Sequence, residues 1–242
     1  EITTRRPPGR STRRARTSPS ASAASSSLTA MRRAWNVRRA GWPARRARDR
    51  RPVEGEATAV TGADQLAGLA VEAANHALLD TCIERPELSG MGTTLVVALF
   101  REGRVFYAHV GDSRLYRVRF GRIRRLTRDH SLIQHMIDDG VFLNRAEARR
   151  AGIRDNVLTR SLGMQRQAQV DVGEMPLEDG DAFLACSDGL HGLVGDNEIA
   201  RILRDPDGDI ERQAQALLDA ALDAGGQDNI SLVLARPLFS QG

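Results

Sequence analysis

Phe183-Leu184-Ala185-Cys186-Ser187-Asp188-Gly189-Leu190 is an apolar run that stops at an acid and a glycine. A continuous apolar stretch of this length, bounded by turn residues, suits a strand covered on both faces. Gly225-Gly226-Gln227-Asp228-Asn229-Ile230 has the reverse order: a glycine turn, an acid, then a strand running on into Ser231-Leu232-Val233-Leu234. If the two strands lie antiparallel, the end of one meets the start of the other, and Asp188 and Asp228 share one rim of a sheet. Two carboxylates at one rim repel each other unless a cation sits between them. Val105 to Val110, followed by Gly111-Asp112-Ser113, repeats the pattern of a strand with an acid at its end. Taken alone, Asp112 reads equally well as a turn residue bonding its own backbone.

Outward from these strands, Ala63 to Arg85 carries Leu66, Leu69, Ala70, Ala73, Ala77 and Leu78 as an apolar helical stripe, ended by Pro86 and Gly90. Thr93–Phe100 and Val105–Val110 form strands around a Glu102-Gly103 turn. Leu115–Phe120 and Ile123–Leu126 form a hairpin around Gly121. Thr127 to Asn144 is a loop and then a helix capped by Asp129 or Ser131, and Asn144 with Glu147 is a capping box for a short helix. Val170 to Met175 is a strand, Asp196 caps a helix through Leu203, and Asp209 begins a longer one through Leu222.

The 242 residues, 41% hydrophobic, suffice for one sizeable core, and no stretch approaches the ~20 apolar residues of a membrane span. Two cysteines, Cys82 and Cys186, make no disulfide framework, which makes a reducing cytoplasm the default location. Residues 1–60 hold 15 arginines against Glu1, Asp49, Glu54 and Glu56, a net +11, and the remainder of the chain is net −7. This Arg-, Ser- and Ala-rich stretch has no apolar periodicity and reads as a disordered tail preceding one domain at 61–242. A basic arm for nucleic acid or lipid, a solvated tail without a partner, and a misread frame of a GC-rich gene compete as explanations. The nucleic-acid arm is the weakest, because only Trp35 and Trp42 could stack on bases. The five histidines show no metal-ligand spacing; His130, beside Asp129, is the one held open. Ser187 reads as a hydrogen-bonding neighbour of Asp188 rather than a nucleophile.

Several segments together resemble the metal-dependent, PPM-type (type 2C) protein serine/threonine phosphatases of bacterial type. They are Ser89-Gly90-Met91-Gly92-Thr93-Thr94, Val110-Gly111-Asp112-Ser113-Arg114-Leu115-Tyr116, Leu126-Thr127-Arg128-Asp129-His130-Ser131, Asn156-Val157-Leu158-Thr159-Arg160-Ser161-Leu162-Gly163, Cys186-Ser187-Asp188-Gly189-Leu190 and Asp228-Asn229-Ile230. They stand in family order and span roughly residues 64–236. The resemblance implies an α+β fold, a four-layer α-β-β-α sandwich of two antiparallel sheets. It implies that Asp188 and Asp228 ligate one ion of a binuclear Mn²⁺ or Mg²⁺ centre and that Asp112, with Asp188, helps hold a third. It implies that Asn229 supports the Asp228 loop and that Asp129 to Asn156 forms a flap beside the site. No protein nucleophile is implied: the reaction is attack by metal-activated water on phosphoserine or phosphothreonine of proteins phosphorylated by a serine/threonine kinase, by a monomeric enzyme. Residues 1–63 contain neither the family's R-x-x-N-E-D segment nor its D-G-x-G-G turn, whose acid bridges the two metals. The chain as written is therefore expected to hydrolyse phosphoesters poorly, and a non-catalytic phosphoprotein-binding relative is the alternative.

Overall fold

The computed structural model describes residues 63–237; the arginine-rich stretch lies outside them. The described residues begin with helix α1 (Ala63–Glu84) and a 3-10 turn at Pro86–Leu88. Strands β1 (Leu95–Arg101) and β2 (Arg104–Val110) form a hairpin, followed by a second from β3 (Arg114–Arg119) and β4 (Arg122–Arg125). Two short helices, α2 (Leu132–Asp138) and α3 (Arg145–Arg150), precede β5 (Asp171–Pro176) and β6 (Asp181–Cys186). Helices α4 (Asp188–His191), α5 (Asp196–Ile202) and α6 (Ile210–Asp223) lead to the last strand, β7 (Leu232–Ala235). The strands make two antiparallel sheets of order β1-β2-β5 and β4-β3-β6-β7.

Alternation along the strands builds the layers, because successive side chains point to opposite faces. In the second sheet Tyr116, Val118, Leu184 and Cys186 pack outward on Leu190, Ile199, Leu217 and Ala221 of the helices. Their neighbours Leu115 and Phe183 point inward and meet Val105 and Met175 of the first sheet. Phe100 and Phe183 touch edge-on across this interface, ring centroids 5.1 Å apart. On the far side of the first sheet, Ala67 and Val71 of α1 pack against Ala108 and Val110. The four-layer α-β-β-α sandwich expected from the resemblance is the fold observed.

Two local expectations are corrected. The buried face of α1 is Ala67, Val71, Ala74, Asn75 and Leu78; of the expected stripe only Leu78 belongs to it, while Leu66, Leu69, Ala70, Ala73 and Ala77 are exposed. A polar residue selects the face: buried Asn75 donates to the carbonyls of Gln165 (2.9 Å) and Arg166 (3.2 Å) and accepts from the Gly163 amide (2.9 Å). Those bonds satisfy its amide and dock the helix on the 163–166 turn. Asp196 is the first residue of α5 rather than its cap, which is Gly195; the Asp196 carboxylate instead accepts from the Tyr116 hydroxyl at 3.1 Å.

The caps of the other helices follow the sequence. Ser131 accepts from the Gln134 amide, Asn144 from Glu147 and Asp209 from Arg212 at 2.9 Å. Asp209→Ala removes the only side-chain cap of α6 and is expected to cost about 1 kcal/mol. Urea denaturation followed by circular dichroism measures the loss, and binding at the distant aspartate rim stays unchanged.

Candidate metal centre

The end of β6 and the start of β7 meet, as expected of an antiparallel pair. Cys186 pairs with Leu232, and beyond the ladder the Ser187 amide donates to the Ser231 carbonyl at 2.9 Å. The Ser187 hydroxyl accepts from the Ser231 amide (3.0 Å) and donates to the Asn229 carbonyl (3.2 Å). It thus stitches the Asp228-Asn229 loop to the strand that delivers Asp188. Gly189 completes the joint, since a Cβ there would overlap the Asn229 carbonyl oxygen. Asp188 does not end the strand but opens the one-turn helix α4, and Asp228 stands exposed with one carboxylate oxygen accepting from the Asn229 amide at 2.7 Å.

The third aspartate arrives on the β2–β3 turn. Gly111 has φ +104°, and a side chain there would strike Thr94, so the turn closes directly against β1's entry. Thr94 and Ser113 hydroxyls bond at 2.8 Å across it. From the other side His191 of α4 donates through Nε2 to the Asp112 carbonyl at 3.0 Å, tying the Asp112 turn to the helix that begins with Asp188. Burial, followed by the Arg114 charge, pushes the His191 pKa down to about 4, which keeps the ring neutral for this role. Burial lifts Asp112 to about 6, and the nearby Asp188 and Asp129 carboxylates add to the rise. A carboxyl in that state is one that a cation can stabilise. The three expected residues therefore come from three strand ends to one rim. Their carboxylates are not drawn together to within 4.8 Å as a set.

Among the described residues the group that is drawn so close is His109, His130 and Asp171, which the sequence spacing did not reveal. Its hydrogen bonds account for it without an ion. His130 Nδ1 accepts from the Gly111 amide at 3.1 Å, so Nε2 carries the proton and donates it to Asp171 at 3.1 Å. Arg160 holds the other Asp171 oxygen at 2.8 Å. His109 stacks on His130, centroids 4.7 Å apart, and donates through Nε2 to the Arg128 carbonyl at 2.8 Å; its buried Nδ1 has no partner. A metal on His130 must break either the bond that fixes Gly111 or the one to Asp171. The group is a brace behind the Asp112 turn. Its signal in the sequence lay in the segments around Gly111 and His130, not in histidine spacing.

Arg114 and Asp129 form the other support. The guanidinium donates to both carboxylate oxygens, at 2.9 and 2.7 Å, with Asp129 fully buried and Arg114 8% exposed. Burial by itself raises an acid, but the Arg114 bonds and charge outweigh it and hold Asp129 below the usual carboxylate range. Arg114 also donates to the Tyr116 hydroxyl at 2.8 Å, and Asp129 further receives Arg125 at 3.7 Å and Arg145.

The family model described as Protein phosphatase 2C matches residues 27–224. The chain belongs to the protein phosphatase 2C family. The match begins at residue 27, inside the arginine-rich stretch, so family likeness reaches further forward than the motifs starting near residue 64, and it ends before Asp228. Serine/threonine phosphatase stp of Listeria welshimeri is 36% identical over 157 residues, which are 64% of this chain and 61% of that protein. The chain thus matches less than two thirds of that relative's length. The crystal structure of serine/threonine phosphatase Stp1 from Staphylococcus aureus superposes with a TM-score of 0.67 at 32% identity, covering 77% of this chain and 72% of that one. The catalytic domain of PstP, crystallised in complex with two manganese ions, superposes with a TM-score of 0.61 at 31% identity, covering 75% and 73%.

Proposed function

We propose that this chain is a metal-dependent phosphatase of phosphoserine and phosphothreonine in proteins, using Mn²⁺ or Mg²⁺ held by Asp112, Asp188 and Asp228. The carrying observation is the convergence of three strand-end aspartates on one rim, with Asp112 pushed up to about 6 by burial and by Asp188. Short carboxylate side chains supply the oxygen donors that hard cations take. When bound, such ions lower the pKa of water and stabilise the charge of a phosphoryl group in transfer.

The protein's own residues support direct attack by water. The Ser187 hydroxyl is committed to Asn229 and Ser231. Burial pushes the Cys186 thiol up to about 12, so it is not a thiolate near neutral pH. Neither neighbour of Asp188 is a free nucleophile. The role left to this chain's residues is to place the cation and keep the rim rigid, through Ser187, Gly189, His191 and the His130 brace.

The substrate class, phosphoproteins made by a serine/threonine kinase, is supported by the family and by relatives named as serine/threonine phosphatases. A monomer working in the cytoplasm suits the reading; among the described residues no helix is long and apolar enough to cross a membrane. Low turnover is part of the proposal, because the aspartates supply only part of the oxygen shell a hard cation takes and residues 1–63 carry no D-G-x-G-G turn to bridge a second ion. The test is phosphate release from a phosphothreonine peptide with excess Mn²⁺. Slow release that stops on addition of EDTA and returns with Mn²⁺ is expected. Turnover indifferent to EDTA contradicts the proposal, and peptide binding without any turnover favours a binding module.

A further inference from the structure

The β3–β4 hairpin sets arginine against arginine twice. Arg117 lies directly opposite Arg124, and Arg119 directly opposite Arg122. Residues opposite one another in an antiparallel pair share a face, and like charges there are destabilising. On the other side of β3, Arg117 stands opposite Phe183 and Arg119 opposite Asp181 of β6. Asp181 explains only one of the four. Its fully buried carboxylate accepts from Arg119 at 2.7 and 3.2 Å and from the Glu178 amide at 2.9 Å, and Glu178 takes the remaining Arg119 nitrogen. Arg117 is left 3.8 Å from Asp181, and its buried Nε has no hydrogen-bond partner among the described residues. A buried donor in that state is uncommon.

Arg122 and Arg124 are exposed and pair with no acid among the described residues. Arg204, just after α5, is exposed and equally without an acid; its stem runs past the hairpin turn, 3.2 Å from where a Cβ on Gly121 would stand. Asp179, exposed on the neighbouring turn, pairs with none of them. The hairpin thus keeps an excess of positive charge on a body, residues 61–242, that is net −7. It is also an edge: β4 is the outermost strand of its sheet, and among the described residues no strand pairs with its outer side. The outward N–H and C=O groups of such a strand are a template for another. A second copy adding through the same edge would set arginines against arginines. A nucleic acid carries charge along its whole length and would meet the negative body, whereas a short strand with an acid at every second position meets the hairpin alone. The length of β3, roughly 17 Å by the rise of a strand, separates this surface from the turn that carries Asp112.

We propose that the β3–β4 hairpin is a docking edge for an extended acidic segment of a partner protein. The segment adds to the outer side of β4 as a further strand, and its alternate side chains, glutamate or aspartate, pair with Arg122 and Arg124. Bound there, it supplies the acids that the two pairs of facing arginines lack. The same charges that keep ordinary strands off this edge select one that carries acids in register. The docking edge does not depend on what the aspartate rim holds.

The test measures fluorescence anisotropy of fluorescein-labelled peptides with the full chain in low-salt buffer. One peptide alternates glutamate and threonine; the other has the same residues with the glutamates grouped. The arginine-rich residues 1–60 add the same attraction to both, which share one composition, so a preference between them reads the hairpin. The parent is expected to bind the alternating peptide about tenfold more tightly, because only that peptide sets an acid against each arginine. Arg122→Glu/Arg124→Glu abolishes the preference. Arg150→Glu/Arg154→Glu, the same charge change at two exposed arginines elsewhere, leaves it as in the parent. Amide exchange at 122–125 slows when the alternating peptide is added. Absence of binding by the parent, equal binding of the two peptides, a preference that survives Arg122→Glu/Arg124→Glu, or unchanged exchange at 122–125 each overturns the docking edge. So does a single-stranded DNA oligomer that binds more tightly than the alternating peptide and is lost in Arg122→Glu/Arg124→Glu, which assigns these arginines to nucleic acid.

Discussion

Asp188→Ala is expected to reduce Mn²⁺-dependent phosphate release from a phosphothreonine peptide by about 100-fold or more, beyond the 10–100-fold typical of residues that only support a metal ligand. Asp188 is central among the three aspartates: its charge bears on Asp112, and its helix reaches the Asp112 carbonyl through His191. The strand it follows is sewn to the Asp228 loop by Ser187. Removing the carboxylate takes away the acid that neighbours Asp112. Circular dichroism is expected to stay native, because Asp188 is half-exposed and makes no side-chain ion pair among the described residues. Activity within tenfold of the parent contradicts the assignment of Asp188 as a ligand.

The largest stability effect is expected at Asp129. Asp129→Ala leaves Arg114, which is 8% exposed, together with Arg125 and Arg145, facing one another without an acid. Removing one partner of a buried pair costs about 3–5 kcal/mol, which for a domain of this size lowers the melting midpoint on the order of 10 °C. Because Asp129 titrates below the usual range in the folded protein, its stabilisation is fully present above about pH 4 and fades as the pH falls further. The gap in stability between parent and variant therefore narrows in acid. Thermal unfolding at pH 7 and at pH 3 measures both effects; a loss under 1 kcal/mol at pH 7 contradicts the account of this cluster.

What could be read from the sequence was what local pattern encodes. The apolar run to Cys186, stopped by Asp188 and Gly189, and the glycine turn before Asp228 announce two strands and the rim they share. Period-2 burial then assigns Leu184 and Cys186 to one layer and Phe183 to the other. The caps at Ser131, Asn144 and Asp209 were legible because a capping side chain and its amide lie three residues apart. The face of α1 was not, because its choice depends on Asn75 finding carbonyls at Gln165 and Arg166, 90 residues away. The Asp129 cluster joins Arg114, Arg125 and Arg145, and the brace joins His109, His130 and Asp171. Neither has a spacing of its own, since only the folded sheet brings their members together. The arginine-rich stretch was set outside the family for lack of motifs, yet the family match begins at residue 27.

The central claim is that the aspartate rim, and not the histidine brace, is where this protein holds a cation. Crystals of the chain grown or soaked in Mn²⁺ and measured at the manganese absorption edge test it directly. The account predicts an anomalous peak within coordination distance of Asp188 and of Asp112 or Asp228, absent from Asp188→Ala crystals. A peak among His109, His130 and Asp171, or a rim without manganese, contradicts it.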